Sequence, residues 1–578
     1  MDDSNSTGGG RVVVRGGRIV DGAGALHAAD VAVRGGLITE VGEVVAQSGD
    51  TVVDAAGRLV LPGFVDAHSH AGGLLTDESV QRALLRQGVT TVIAGQDGIS
   101  YAPGDGAYAT EYFAAIDGPH PSYSGGGVAR FLAAADGASR LNTAYLVPAG
   151  TVRFEVCGRS QKPATPAELA AMTALVEDGL REGAVGLSTG LDYVPGIFQQ
   201  AEEIAALCGH VAQSGGVYVS HMRGGYEANA AAGIEEIATI VRLAARGASR
   251  DGARGHDDHA ASRPLRVHVS HFHADADIVL GQLDALAAAG VDATFDAYPY
   301  IRGCSLLGMP LLPPDLAVQT VDDVLRALGD PAERARLRTQ WFPRVERNAS
   351  LGPEWPHMIT FAHLDDPDLA WAHGLTIAQA AQRAGVDAID FALDALRQCR
   401  LRANVIMAVQ HPRAVSELAR IFAHPGHMGG SDGIFVGAHP HPRARGTFAR
   451  YLREYVRETG TWSWADAVHH LSSGAGARFG LGRRGVVVPG AVADLIVVDP
   501  DAVADAATYD EPLREAVGVD DVLVAGVPVL AGGELTTSRP GRGLRHGATG
   551  PRSATHRRSP TAADRRSRTT THREGNPS

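Results

Sequence analysis

The chain is almost devoid of lysine. Among 52 basic residues a single lysine, Lys162, is present, so chemistry that needs a lysine nitrogen is confined to that position. Cysteine is nearly as scarce. Cys157, Cys208, Cys304 and Cys399 are scattered without any CxxC spacing, which excludes a disulfide scaffold or a thiolate zinc cage and fits a reducing, cytoplasmic compartment. A positive surplus is missing too. The formal net charge of -13 argues against a surface that neutralises nucleic-acid phosphates or anionic lipid. No run of about 18 apolar residues occurs, and the opening MDDSNSTGGG is acidic and polar where a secretory signal needs a basic start and an apolar stretch.

What is present is a chain of 578 residues, 44% hydrophobic and 20% charged, long enough to bury a large core. Residues 1–10 read as a flexible start. Across 11–60, short β-rich runs such as RVVVRGGRIVDG and DVAVRGGLITEVG are punctuated by glycine pairs. The same texture returns at 484–545, so the two ends are expected to pair into one small β-sandwich domain. Over 61–483, β-like runs alternate with alanine- and leucine-rich helical stretches. Strands are predicted at 64–70, 90–95, 143–148, 183–188, 216–221, 266–271 and 292–298, with a last one ending at GGSDG, 429–433. Eight such units suit a (β/α)8 TIM-like barrel of the α/β class with its site at the C-terminal strand ends. The periodicity alone equally allows an open doubly wound sheet.

Two insertions interrupt the pattern. The polar stretch 245–264 carries His256 and His259, read as solvated loop residues. A longer one, 301–363, follows the seventh strand where a lid can form. The tail, 546–578, is rich in Arg, Ser, Thr and Pro without apolar periodicity and reads as disordered.

Among 24 histidines about one His-x-His arises by chance, so His68 and His70 count only through their place at the end of an apolar run. Strand alternation puts both on one face, which makes half of a tetrahedral zinc site. His221 in YVSHMRGG and His271 in VHVSHFH each end a predicted strand and each follow a serine. Together the four can ring one metal. Asp432, in GGSDG, supplies a carboxylate beside it, although Asp-Gly is also a turn signal.

The order His68, His70, His221, His271 and Asp432 resembles the amidohydrolase superfamily. More narrowly, LPGFVDAHSH, QGVTTVIAG, GAVGLSTGLDYVPG, GGVYVSHMR, DAYPY and the SDG that precedes HPRARGTFARYLREYVRE are similar to the N-acyl-D-amino-acid deacylases, or D-aminoacylases, over about residues 11–545. The resemblance implies one or two zinc ions and an N-acyl amino acid substrate, with Asp432 as the proton-transferring group. That family usually has a cysteine ligand in a GNCG-like turn after strand two; here the turn is GQDG, and Asp97 is the candidate ligand. Family members commonly carry a lysine two residues after the sixth-strand histidine to hold a substrate carboxylate; here His273 stands there. Arg443, eleven residues after Asp432, matches an arginine that binds the same carboxylate. Tyr193, Tyr298 and Tyr300 are further pocket candidates.

Hydantoinases and dihydroorotases often hold two metals with a carbamylated barrel lysine, and the single Lys162, in a polar approach to a helix capped by Thr165, cannot easily serve. The expectation is a zinc-dependent deacylase; the alternatives are a dipeptidase or cyclic amidase, or a non-catalytic barrel scaffold.

Overall fold

The computed structural model describes residues 10–20, 24–252, 263–348 and 350–547. His256, His259, residues 1–9 and residues 548–578 lie outside them.

Eight short runs form a parallel sheet whose strands follow one another in chain order: Phe64–Asp66, Val89–Ala94, Asn142–Pro148, Gly186–Gly190, Val217–His221, Arg266–Val269, Asp292–Ala297 and His427–Gly429. Seven coincide closely with strands expected from the sequence, and the eighth ends at the start of the expected GGSDG stretch. The seam between first and last is closed by the Ala67 amide donating to Gly429 O at 3.0 Å and the Asp432 amide donating to His68 O at 2.8 Å. The sheet is therefore a barrel, and the open-sheet alternative falls. Its strands are buried on both faces, which is why they read as apolar runs rather than alternating ones. Val65, Ile93, Ala144, Leu146, Val185, Val217 and Val219 fill the interior, while Phe64, Val92, Tyr145, Leu187 and Tyr218 join the core between sheet and helices.

Both chain ends build one nine-stranded mixed sheet. Its joint is the antiparallel pairing of Leu59–Pro62 with Leu495–Val498, over an apolar face of Val12, Val14, Val31, Val33, Leu495, Val497 and Leu523. The strand Leu59–Pro62 runs straight on through Gly63 into the first barrel strand. After Leu535 the chain leaves this sheet and docks on the barrel. The Leu544 amide donates to Thr143 O at 2.7 Å and the His546 amide to Gly183 O at 3.0 Å, so His546, expected in the tail, is held.

The insertion after the seventh strand is larger than the expected 301–363. Gly303–Leu306, Ile359–Leu364 and Ala403–Met407 form a separate antiparallel sheet, packed on its own core that includes Leu311, Trp355, Phe361, Leu393 and Val405. The strand Ala403–Met407 is central, pairing with both others, so the lobe cannot close before residue 407. Lys162 is exposed, ahead of the helix Pro166–Arg181 with its Thr165–Glu168 capping box.

Candidate active site

All four strand-end histidines converge. His221 continues the inward register of Val217 and Val219. His271 follows the sixth strand in a left-handed backbone conformation, φ 29°, and this twist out of strand parity turns its ring toward the others. His271 Nε2 lies 3.0 Å from His221 Nδ1, and the His68 and His271 rings are 4.9 Å apart.

Asp97 sits at their centre. It follows the second strand in the GQDG turn with φ 54°, a conformation that non-glycine residues adopt rarely. The close approach of Gly190 keeps it there: a Cβ on Gly190 would lie 1.9 Å from Asp97 O. Asp97 Oδ1 faces His68 Nε2 at 3.5 Å and His271 Nε2 at 3.6 Å; Oδ2 faces His70 Nε2 at 3.6 Å and His221 Nδ1 at 3.7 Å. These separations are too long for hydrogen bonds. They match the roughly 3.4 Å between two ligand atoms each about 2.1 Å from a tetrahedral ion.

Both ring nitrogens of His68 and Asp97 Oδ1 are buried without a hydrogen-bond partner. Donor atoms of His68, Asp97 and His271 all lie within 4.8 Å of one another, as do those of His68, His70 and Asp432. Orphaned ligand-type atoms at ligand spacing fit a divalent cation. Burial alone would raise the Asp97 pKa, but His68 and His221 outweigh it and hold the carboxylate well below its usual range. Burial likewise opposes charge on His221, yet Asp97 and Asp192 push its pKa up to about 10.

Further carboxylates orient the rings from behind. His70 Nδ1 bonds Asp117 Oδ1 at 2.7 Å, His221 Nε2 faces Asp192 Oδ2 at 3.4 Å, and His68 Nδ1 faces Asp296 Oδ2 at 3.4 Å. Asp296 also accepts the His271 amide at 2.9 Å. The sequence reading missed all three. Asp296 lies inside a predicted strand, Asp117 ends the short helix Ala114–Asp117 and Asp192 lies in a turn, and no spacing ties any of them to a histidine far along the chain.

Asp432 follows the eighth strand, also left-handed at φ 47°, with Oδ1 3.3 Å from His70 Nε2. Its Oδ2 stands 2.9 Å from Arg443 Nη2. Burial would raise its pKa, but Arg443 and His271 more than offset this and keep it ionised at neutral pH. Arg443 is fully covered and packs 4.5 Å from the centre of the Tyr298 ring. The ion pair is not an aligned hydrogen bond, so Nε, Nη1 and Nη2 of Arg443 are all without an acceptor.

The cluster opens into a cavity of about 550 Å³. Asp97, His221, His271 and Asp432 lie on its floor with Tyr193, His273, Tyr298 and Tyr300 beside them, and the insertion lobe contributes Met309, Leu351 and Met407. All the site residues expected from the sequence are thus gathered at one barrel mouth. Burial, then Asp97, lifts the Tyr193 pKa well above that of a free phenol, so its hydroxyl remains a donor. Burial, then Arg413, holds His273 well below the usual histidine range, so this ring can donate to a substrate carboxylate but does not bring the positive charge of the lysine that the resemblance places there.

A closed parallel barrel with imidazoles and carboxylates gathered at its C-terminal strand ends defines a metal-dependent barrel hydrolase. A model of the amidohydrolase family matches residues 51–530, and the chain belongs to that family. An N-acyl-D-glutamate deacylase of Alcaligenes xylosoxydans xylosoxydans is 32% identical over 542 residues, 93% of this chain and 97% of its own. The N-acyl-D-glutamate deacylase of Bordetella bronchiseptica, solved with zinc and a phosphonate mimic of the tetrahedral intermediate, has a TM-score of 0.74 at 30% identity, covering 92% of this chain and 99% of its own. A D-aminoacylase whose binuclear metal centre is described by one-metal activation and second-metal attenuation has a TM-score of 0.73 at 29% identity, covering 93% of this chain and 99% of its own.

Proposed function

We propose that the protein is a zinc-dependent N-acyl-D-amino-acid deacylase, cleaving a linear amide to a carboxylate and a free D-amino acid. The observation that carries this reading is Asp432, which touches the histidine cluster with one oxygen and a buried arginine with the other. The D preference is supported by the activities of the similar deacylases. Four free thiols support a cytoplasmic location.

In this reading His68, His70, His221, His271, Asp97 and Asp432 are the residues that hold one or two ions, with Asp97 presenting one oxygen to each pair of imidazoles. Zinc held there supplies a Lewis acid for the acyl carbonyl and makes water a stronger nucleophile near pH 7. Asp432, ionised, takes a proton from the attacking water and returns it to the departing nitrogen. Tyr193, still protonated, offers a donor to charge developing on the carbonyl oxygen. Arg443 pairs with the substrate carboxylate in a site completed by His273, Tyr298 and Tyr300, so that orientation contributes to rate.

The test is a hydrolysis screen of paired N-acetyl-D and N-acetyl-L amino acids, with dipeptides and hydantoins alongside, on protein of measured zinc content. Turnover confined to the N-acetyl-D series is the expected result. Preference for the L series, for dipeptides or for hydantoins overturns it, and zinc-free, inactive protein that zinc does not rescue favours a scaffold. Asp432→Asn should retain zinc while kcat falls at least about 10³-fold, at the upper part of the range for a lost general base; undiminished turnover removes the assigned role.

A further inference from the structure

Arg413 lies where the insertion lobe returns the chain to the barrel, between the strand Ala403–Met407 and the helix Val415–Phe422. Its side chain lines the same cavity as His273, Tyr298 and Asp432. Its Nε is buried without a hydrogen-bond partner, and its Nη2 stands 3.4 Å from His273 Nδ1.

That last contact is between two donors. The backbone amide of Tyr298 donates to His273 Nε2 at 3.2 Å. An amide N–H can only donate, so Nε2 is the bare ring nitrogen and the ring proton sits on Nδ1. Nδ1–H and the guanidinium therefore face each other with nothing to accept from either. Two such donors are held together favourably by an anion that accepts from both.

A second set of unmet donors is close by. His273 packs on Tyr298 with ring centres 4.0 Å apart, and the acceptor-less guanidinium of Arg443 rests on that same tyrosine. The α-carboxylate of an N-acyl amino acid is two bonds from the nitrogen that Asp432 must protonate. Donors that bind it must therefore stand near Asp432; Arg443 is 2.9 Å from it, and Arg413 and His273 line the same cavity as Asp432.

We propose that Arg413, with the Nδ1–H of His273, binds the α-carboxylate of the substrate together with Arg443, so that the insertion lobe's return segment supplies a substrate-binding cation. The inference rests on the deacylase reading and names a residue for it. It also gives the lobe a task, because a bound carboxylate ties the lobe to the barrel.

The experiment compares kcat/KM for the best N-acetyl-D-amino acid of the screen with that for its primary carboxamide, in wild type, Arg413→Met and Arg413→Lys of equal zinc content. Loss of a charge-assisted contact predicts a fall of about 10- to 150-fold for the acid in Arg413→Met, a change under about threefold for the carboxamide, and substantial recovery in Arg413→Lys. Calorimetric affinity of the acid, measured in an Asp432→Asn background without turnover, should fall by the same factor. Equal losses on acid and carboxamide, or none on the acid, overturn the proposal. So does a loss seen with N-acetyl-D-glutamate and absent with N-acetyl-D-glutamine, which would assign Arg413 to a side-chain carboxylate. Wild type inactive on every N-acyl-D-amino acid defeats the deacylase reading itself, a separate result.

Discussion

Asp97, His271 and Asp432 are three of the six described non-glycine residues with left-handed backbone. Strain of this kind costs about 1–3 kcal/mol per residue and persists where surrounding structure enforces it; here it aims side chains that ordinary strand geometry would point elsewhere. The four histidines and Asp432 could be read from short motifs at strand ends, and Asp97 only through the resemblance of GQDG to the family's cysteine turn. Asp117, Asp192 and Asp296 could not, because their partners are distant in the chain and no local pattern records the pairing. Their effect is measurable: Asp117→Asn should leave the fold intact and weaken zinc binding about 10- to 100-fold, and unchanged affinity in a chelator competition would refute its role. The pKa directions carry a second consequence. His70 is held well above its usual value, burial being outweighed by Asp117 and Asp432, and His221 reaches about 10. Raised values keep protons on these rings through neutral pH, so a binding cation must displace them. Zinc affinity should fall as pH drops, by about tenfold per unit for each proton displaced. Chelator competition between about pH 6 and 8 checks this, and a flat profile would contradict it.

Elements set these residues in place with little slack. The Gly186–Gly190 strand passes so near the GQDG turn that Gly190→Ala cannot be accommodated without moving Asp97. The variant should fold, by circular dichroism, yet bind less than half the wild-type zinc; full occupancy would show the turn to be more compliant than its contacts suggest. The insertion illustrates what strand patterns conceal. Its start after the seventh strand was legible, whereas its end was not, because the central strand of the small sheet comes last in the chain and resembles a barrel strand in composition. The lobe's own core makes it separable in energy from the barrel floor. Phe361→Ala, at a fully buried lobe position, should cost about 3–5 kcal/mol and raise KM with zinc content unchanged. Loss of zinc in that variant would mean that lobe and floor are not independent.

At the scale of the molecule, an ion that binds only the folded barrel stabilises it by about 4 kcal/mol when present at 1,000 times its Kd. Removal by chelator should lower Tm by several degrees, and re-addition of zinc should restore it; an unchanged Tm would mean that the cluster binds no ion of consequence. Barrel and end-sheet were both foreseeable, the first from eight repeating units and the second from matching texture at the two ends. The docking of Gly541–His546 on the barrel was not, since it is made largely by backbone hydrogen bonds, with Leu544 as its one buried apolar contact.

The pairing of Leu59–Pro62 with Leu495–Val498 bears on the order of events during synthesis. The segment that bears His68 and His70 is made well before the strand that anchors its root. A finished cradle for the cation thus requires that Leu495–Val498 has already emerged, and metal loading belongs to a chain that carries both strands.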